Sequence, residues 1–237
     1  MRQRWAHLLF LHWQVDPEQL KPLLPPGVQL DTYEGLAYVG LVPFTMTGVH
    51  PWWAPPVKAL SDFHETNVRT YVHLNGGSHP GVWFFSLDAA NSLAVRIARG
   101  MWKLPYHKAR MRLDVRGTQP LGIAPPEIEY ESERLWPGPV PAKCAVHYSP
   151  VPMYAESVPG SLEHFLVERY LLYAYRNDKL YRGQVYHSAY PLQRVRVHSI
   201  DESLINAAGI LRGDEPPIAH YASELNVRIY PLREVRS

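Results

Sequence analysis

The sequence is poor in the features that would announce a partner or a compartment. It holds one cysteine, Cys144, which cannot close a disulfide within the chain, so nothing calls for an oxidising compartment. Excess charge of one sign is also missing: 24 Lys and Arg against 22 Asp and Glu leave a formal net charge of +2. That is too little to draw in nucleic acid or an anionic membrane surface. No run approaches the roughly 18 uninterrupted apolar residues of a membrane-crossing helix. The apolar run Ala6 to Trp13 follows Arg2 and Arg4, but it is short and carries His7 and His12. It leads into Asp16-Pro17 rather than a small-residue cleavage site, so it is not read as a signal peptide. A cytoplasmic protein without a membrane span is expected. Phosphate-cradling and nucleophile-elbow motifs are absent too, with no P-loop, no Gly-x-Gly-x-x-Gly opening a helix and no Gly-x-Ser-x-Gly. His64-Glu65 lacks the second histidine of a zincin, and the 12 histidines are scattered without metal-ligand spacing. Neither a metal nor a cofactor is expected.

What is present is aromatic and rich in proline. The 237 residues include 23 Pro, 15 Tyr and 7 Trp, and the aromatic content excludes disorder as the source of the proline. Strands are predicted at about 6–13, 28–33, 36–47, 64–74, 81–88, 107–115, 127–135, 142–149, 179–187, 192–199 and 220–231. Glu34-Gly35 and Asn75-Gly76-Gly77 read as hairpin turns. Asp16 caps a short helix begun by Pro17 and ended before Pro25-Pro26. Further helices are predicted from Asp88 to Trp102, on the stripe Leu93, Ile97 and Met101, from Ser161 to about Tyr175, and near 201–209. Few helices among runs of strands mean an α+β fold with mainly antiparallel pairing, in one domain over residues 1–237. The proline pairs 55–56, 125–126 and 216–217 fall between predicted strands, where no ladder hydrogen bond is lost.

Two places could carry chemistry. The strand 64–74 sets Glu65, Asn67, Arg69, Tyr71 and His73 on one face and mostly apolar or β-branched residues on the other. Such a face is either a solvated surface or, inside a barrel, a carboxylate, an amide, a guanidinium and a phenol converging on a ligand. Lys103 stands between Trp102 and Leu104-Pro105, one helical turn after Arg99. It is either a cation at a helix C-terminus or an amine whose pKa is lowered by burial and a neighbouring cation until it attacks carbonyls. Cys144, in an apolar stretch, reads as a buried structural thiol. The alternating Glu127, Glu129, Glu131 and Glu133 read as a solvated face, and His187 and His198 as structural. Trp52-Trp53 is a lid, an oligomer contact or core packing.

Several of these segments resemble a known family. The run Trp13 to Leu20, continuing to Leu24-Pro25-Pro26, looks like the entrance motif of the acetoacetate-decarboxylase-like superfamily. Phe63 to Val72 (FHETNVRTYV), Gly81 to Asp88, Leu104-Pro105-Tyr106 and Val167 to Tyr170 resemble the uncharacterised YqjF-like family within it. The resemblance implies an antiparallel barrel or cone around a central cavity, with a few short helices packed outside. It also implies that Glu65 matches a catalytic glutamate and faces the cavity. In the decarboxylases the first lysine of a Tyr-Pro-Lys-Lys-Leu segment forms a Schiff base and the second lowers its pKa. An ungapped match puts Lys103 at the first position and Leu104 at the second, whereas a one-residue shift puts Trp102 first and Lys103 second. The lysine pair is incomplete either way. A second glutamate and an arginine of the family fall near Gly40 and Ala6, which counts against acetoacetate decarboxylation itself.

Two classes of function emerge. One is an enzyme acting on a small carbonyl or carboxylate compound, lyase-like, with Lys103 as Schiff-base amine and Glu65 as acid–base group. Arg69 would clamp an anion, and Asn67 and Tyr71 would orient the ligand. The other is a non-catalytic small-molecule binding protein on the same scaffold. In both the partner is a small molecule, and a homo-oligomer is among the expectations.

Overall fold

The alternating apolar positions resolve into strands, of which the central ones, such as those over 37–50 and 63–74, are long and mostly buried on both sides, while others alternate buried and exposed. The computed structural model describes all residues except 54, 57–60, 93–94, 96–99, 101, 118–124, 155–156 and 236–237. The helical stripe of Leu93, Ile97 and Met101, and with it Arg99, therefore lies outside the described residues. In chain order the strands are β1 (Arg2–Val15), β2 (Gln29–Leu30), β3 (Ala37–His50), β4 (Phe63–Leu74), β5 (Ser78–Ala89), β6 (Tyr106–Arg116) and β7 (Glu127–Trp136). They continue with β8 (Lys143–Tyr154), β9 (Leu171–Arg176), β10 (Lys179–Tyr186), β11 (Leu192–Glu202), β12 (Ile218–Ile229) and β13 (Arg233–Glu234). The α+β, mainly antiparallel barrel expected from the sequence is the fold observed.

The sheet forks at two strands. The ladder β5–β4–β3–β1–β12–β10–β9 returns to β5 and closes a ring. The same wall is closed on its other side through β6, β7, β8 and β11. β5 makes this fork with parallel pairings, to β9 at Val82 and Trp83 and to β6 at Leu87 to Ala89. The shared wall β12–β1–β3–β4–β5 consequently separates two cores. On β3, Val42 and Phe44 face the ring side, while Val39 and Leu41 face the other with Leu9, Val68, Tyr130 and Tyr148. Each fully buried side chain of this kind contributes roughly 1.5–3 kcal/mol. Two apolar faces on one wall thus offset a short row of buried polar groups.

The wall is irregular at His7, among other places. This residue has a positive φ of 51°, and pairing of β1 with β3 skips from Ala6↔Thr45 to Leu11↔Leu41. Pro43 lies within that gap, where a missing N–H breaks no ladder bond.

Three expectations are corrected. The helix from Ser161 stops at Val167, with Ser161 Oγ accepting from the His164 N–H at 3.2 Å. Leu171–Arg176 is instead β9, in a hairpin with β10. The reason lies in the turn: Asn177 and Asp178 take φ of 53° and 56°, the left-handed pair that a tight hairpin needs, and the preceding Leu-Leu-Tyr-Ala-Tyr suits a sheet. The segment after Val28 does not form a hairpin ladder with β3. Only Tyr33 bridges Leu36 around Glu34-Gly35, while Gln29 and Leu30 pair with His73 and Val72 of β4. The late helix is shorter than predicted, spanning Leu204–Ala207. No helix among the described residues is long and apolar enough to cross a membrane.

Candidate functional site

The ring encloses a cavity of about 570 Å³, within the usual range for small-molecule sites. Its walls are mainly apolar and come from all sides of the ring: Phe10 of β1, Phe44 of β3, Phe84 of β5, Leu172 of β9 and Val185 of β10. The His7 kink changes the phase of β1, so that Gln3 and Trp5 before it and Leu8 and Phe10 after it all face inward. Trp53 stands at the mouth and is exposed, as is Trp52, so neither belongs to the core.

β4 supplies the polar row. Glu65, Asn67 and Arg69 line the cavity at alternate positions of one strand face and are all buried. Each carries an atom without a hydrogen-bond partner: Glu65 Oε2, Asn67 Oδ1 and Arg69 Nε. Gln3 Nε2 and Trp5 Nε1, on the facing part of β1, are also unpartnered. Burial pushes the Glu65 carboxyl up to about 8, against the smaller opposing effect of hydrogen bonds from Tyr106 and Asn67. Glu65 is therefore a neutral acid at neutral pH, able to donate a proton as well as accept a hydrogen bond. Arg69 gives one N–H, from Nη2, to the Leu166 carbonyl at 3.1 Å. No carboxylate is ion-paired with it among the described residues.

Tyr71 is buried next along the row but does not line the cavity. Its hydroxyl donates to the Leu166 carbonyl at 2.7 Å and lies 2.7 Å from His12 Nε2. A hydroxyl has one proton, so His12 must donate from Nε2 and carry a bare Nδ1, which is indeed unpartnered. Burial first, then Arg69 and His220, hold the His12 imidazole well below its ordinary pKa, so it is neutral. Gly40 makes room for this ring: a Cβ there would lie 3.0 Å from His12 Cδ2. His12, Gly40 and Arg69 are cross-strand neighbours. The position where the resemblance set a second glutamate is thus filled by an imidazole from β1.

Lys103 is placed differently. It has a left-handed φ of 55°, lines a separate, more open pocket with Arg176 and Tyr175, and sets its Nζ 3.4 Å from the centre of the Tyr181 ring. It is not among the residues lining the Glu65 cavity, whereas Trp102 and Leu104 on either side are. The structure therefore brings Glu65, Asn67 and Arg69 together at the cavity, sets Tyr71 beside Arg69 behind the lining, where both donate to the Leu166 carbonyl, and places Lys103 in the other pocket. Cys144 is buried in the second core with its thiol pushed up by burial. The residues missed from sequence are Gln3, Trp5 and Tyr106. The first two are hidden by the phase change at His7, and Tyr106 stands out in the sequence only as part of a motif. His50 and Glu65 are the only metal-ligating side chains lining this cavity among the described residues, too few for a metal centre.

Comparison with known proteins agrees with this fold. Residues 2–230 match the family DUF2071, described as an uncharacterised conserved protein. The uncharacterised protein YqjF of Bacillus subtilis is 35% identical over 236 residues, covering 99% of this chain and 92% of that one. Among solved structures, acetoacetate decarboxylase from Legionella pneumophila has a TM-score of 0.66 at 12% identity, covering all of this chain (100%) and 88% of that one. An acetoacetate decarboxylase-like enzyme from Sphingomonas wittichii also scores 0.66 at 12% identity, with 99% and 92% covered. The enduracididine biosynthesis enzyme MppR, complexed with pyruvate, scores 0.65 at 10% identity, with 98% and 89% covered. At such identities the solved structures share the fold.

Proposed function

Because the chain belongs to the DUF2071 family of uncharacterised proteins, we propose its function from its own cavity: it binds a small, largely apolar carboxylate. The observation that carries this reading is the row of unpartnered polar atoms on β4. Buried polar atoms are nearly always satisfied, by protein, water or ligand, so three in one row on one cavity wall are available to bind a ligand. Arg69 supplies the charge preference. An enclosed guanidinium without an ion-paired carboxylate favours an anion, and a carboxylate matches the guanidinium fork. The apolar walls take the body of the ligand. Glu65, as a neutral acid, presents a proton to a second oxygen, such as a carbonyl next to the carboxylate. The similarly folded MppR is complexed with pyruvate, a keto acid, which supports the choice of class.

A Schiff base through Lys103 draws no support from the placement of that side chain on Tyr181. The chemistry within reach of the cavity is binding and proton donation. A panel of alkyl and aryl 2-keto acids, the parent carboxylic acids and the matching amides, titrated calorimetrically into the full chain, tests the reading. Saturable binding of acids and not of amides is expected. Equal binding of acids and amides would overturn the role given to Arg69.

A further inference from the structure

The outer face of β7, β8 and β11 carries a cluster that the cavity does not use. Glu127 on β7, His147 on β8 and His198 on β11 each offer one ligand atom, and these atoms lie within 4.8 Å of one another. The residues are far apart in sequence, so no spacing announces them. Strand alternation turns Glu127 and His147 outward, opposite the buried Ile128, Val146 and Tyr148. His198 needs a second device. Pairing of β11 with β8 jumps from Val197↔Tyr148 to Ser199↔His147, which leaves His198 as the extra residue of a bulge. Bulges re-aim side chains. Here the two imidazole rings come to 4.6 Å between centroids.

We propose that Glu127, His147 and His198 form a surface site for a zinc-type divalent cation, joining three strands on the side away from the cavity. Two imidazoles and one carboxylate are the donor set that zinc and its borderline neighbours prefer, and a set of three leaves a position for water. The ligands are already oriented: His147 Nε2 hydrogen-bonds the Glu127 carboxylate, and Ser149 Oγ lies 2.7 Å from His198 Nε2. A cation takes the place of the proton between His147 and Glu127. Such a site would stabilise the fold by mass action, since the unfolded chain holds the three ligands apart.

The test is calorimetric titration of zinc chloride into the untagged full chain, with cobalt(II) absorption as a second readout. The proposal expects one zinc per chain and a rise in Tm with zinc. His147→Ala with His198→Ala should abolish binding, and Glu127→Gln should weaken it about tenfold. All three side chains lie on the surface, so the variants should fold, and unchanged circular dichroism checks that they do. No saturable binding up to about 100 µM zinc, or the same affinity in the double variant, would overturn the site.

Discussion

Lys103 and Tyr181 form a cation–π pair, with the ammonium nitrogen 3.4 Å from the ring centroid. The contact fixes the lysine on the wall of the second pocket, and such a contact is worth about 0.5–1 kcal/mol at a part-exposed site. Borohydride reduction in the presence of pyruvate or apolar aldehydes should therefore give no adduct at Lys103, as read by peptide mass spectrometry. Lys103→Ala should change affinity for a cavity ligand by less than about twofold, since a group outside the cavity makes no contact to lose. A reduced adduct on Lys103 would restore the Schiff-base reading.

Glu65 gives the protein a stability term with a defined sign. Its carboxyl is raised from 4.5 to about 8 in the folded chain, so the folded state holds a proton that the unfolded state releases between those values. The contribution is fully present below the unfolded value and is lost as pH rises through the folded one. Glu65→Gln keeps the shape without the ionisation. Its Tm should exceed that of the parent by a margin that grows between about pH 5 and pH 8 and then levels off. A buried carboxyl forced to ionise can cost a few kcal/mol, so the margin should be several degrees. The histidines held down by burial, among them His12 and His187, act in the opposite direction at acid pH. The difference between the two proteins removes that background. A constant margin across the range would contradict a neutral Glu65.

Asp88 and Arg134 are a buried pair making two hydrogen bonds, both 2.7 Å, which ties β5 to β7 across β6. Removing one partner leaves the other charge buried and unpaired. Asp88→Ala should lose about 3–5 kcal/mol in urea unfolding, while a joint replacement by apolar residues of similar volume should lose much less. Equal losses in the single and joint variants would mean that packing, and not the charge pair, decides the effect.

The polar row of β4 was legible in the sequence because strand alternation is strict and survives in that strand. Whether it faced water or a ligand was not, because that depends on ring closure between strands as distant as β5 and β9 or β10 and β12. Gln3 and Trp5 were hidden for a local reason: they precede the predicted strand 6–13, and the positive φ at His7 shifts β1 by one residue, so alternation carried back from Leu8 and Phe10 sets them on the opposite face. The helix after Ser161 was overextended because Leu162, Phe165, Leu166 and Arg169 keep a helical spacing. The sheet nevertheless claims 171–176 through the turn at Asn177-Asp178. Lys103 was misleading in another way. Its place in a motif carries no information on which way a residue in left-handed backbone points.

The central claim is that Arg69 and its two polar neighbours on β4 hold a small carboxylate, and one titration tests it most directly. The acid that binds most tightly is titrated calorimetrically into the parent chain and into Arg69→Met, which keeps much of the apolar stem but removes the charge. The account predicts affinity at least about tenfold weaker in the variant, the loss of a charge-assisted hydrogen bond. Unchanged affinity in a variant that melts as the parent does would contradict it.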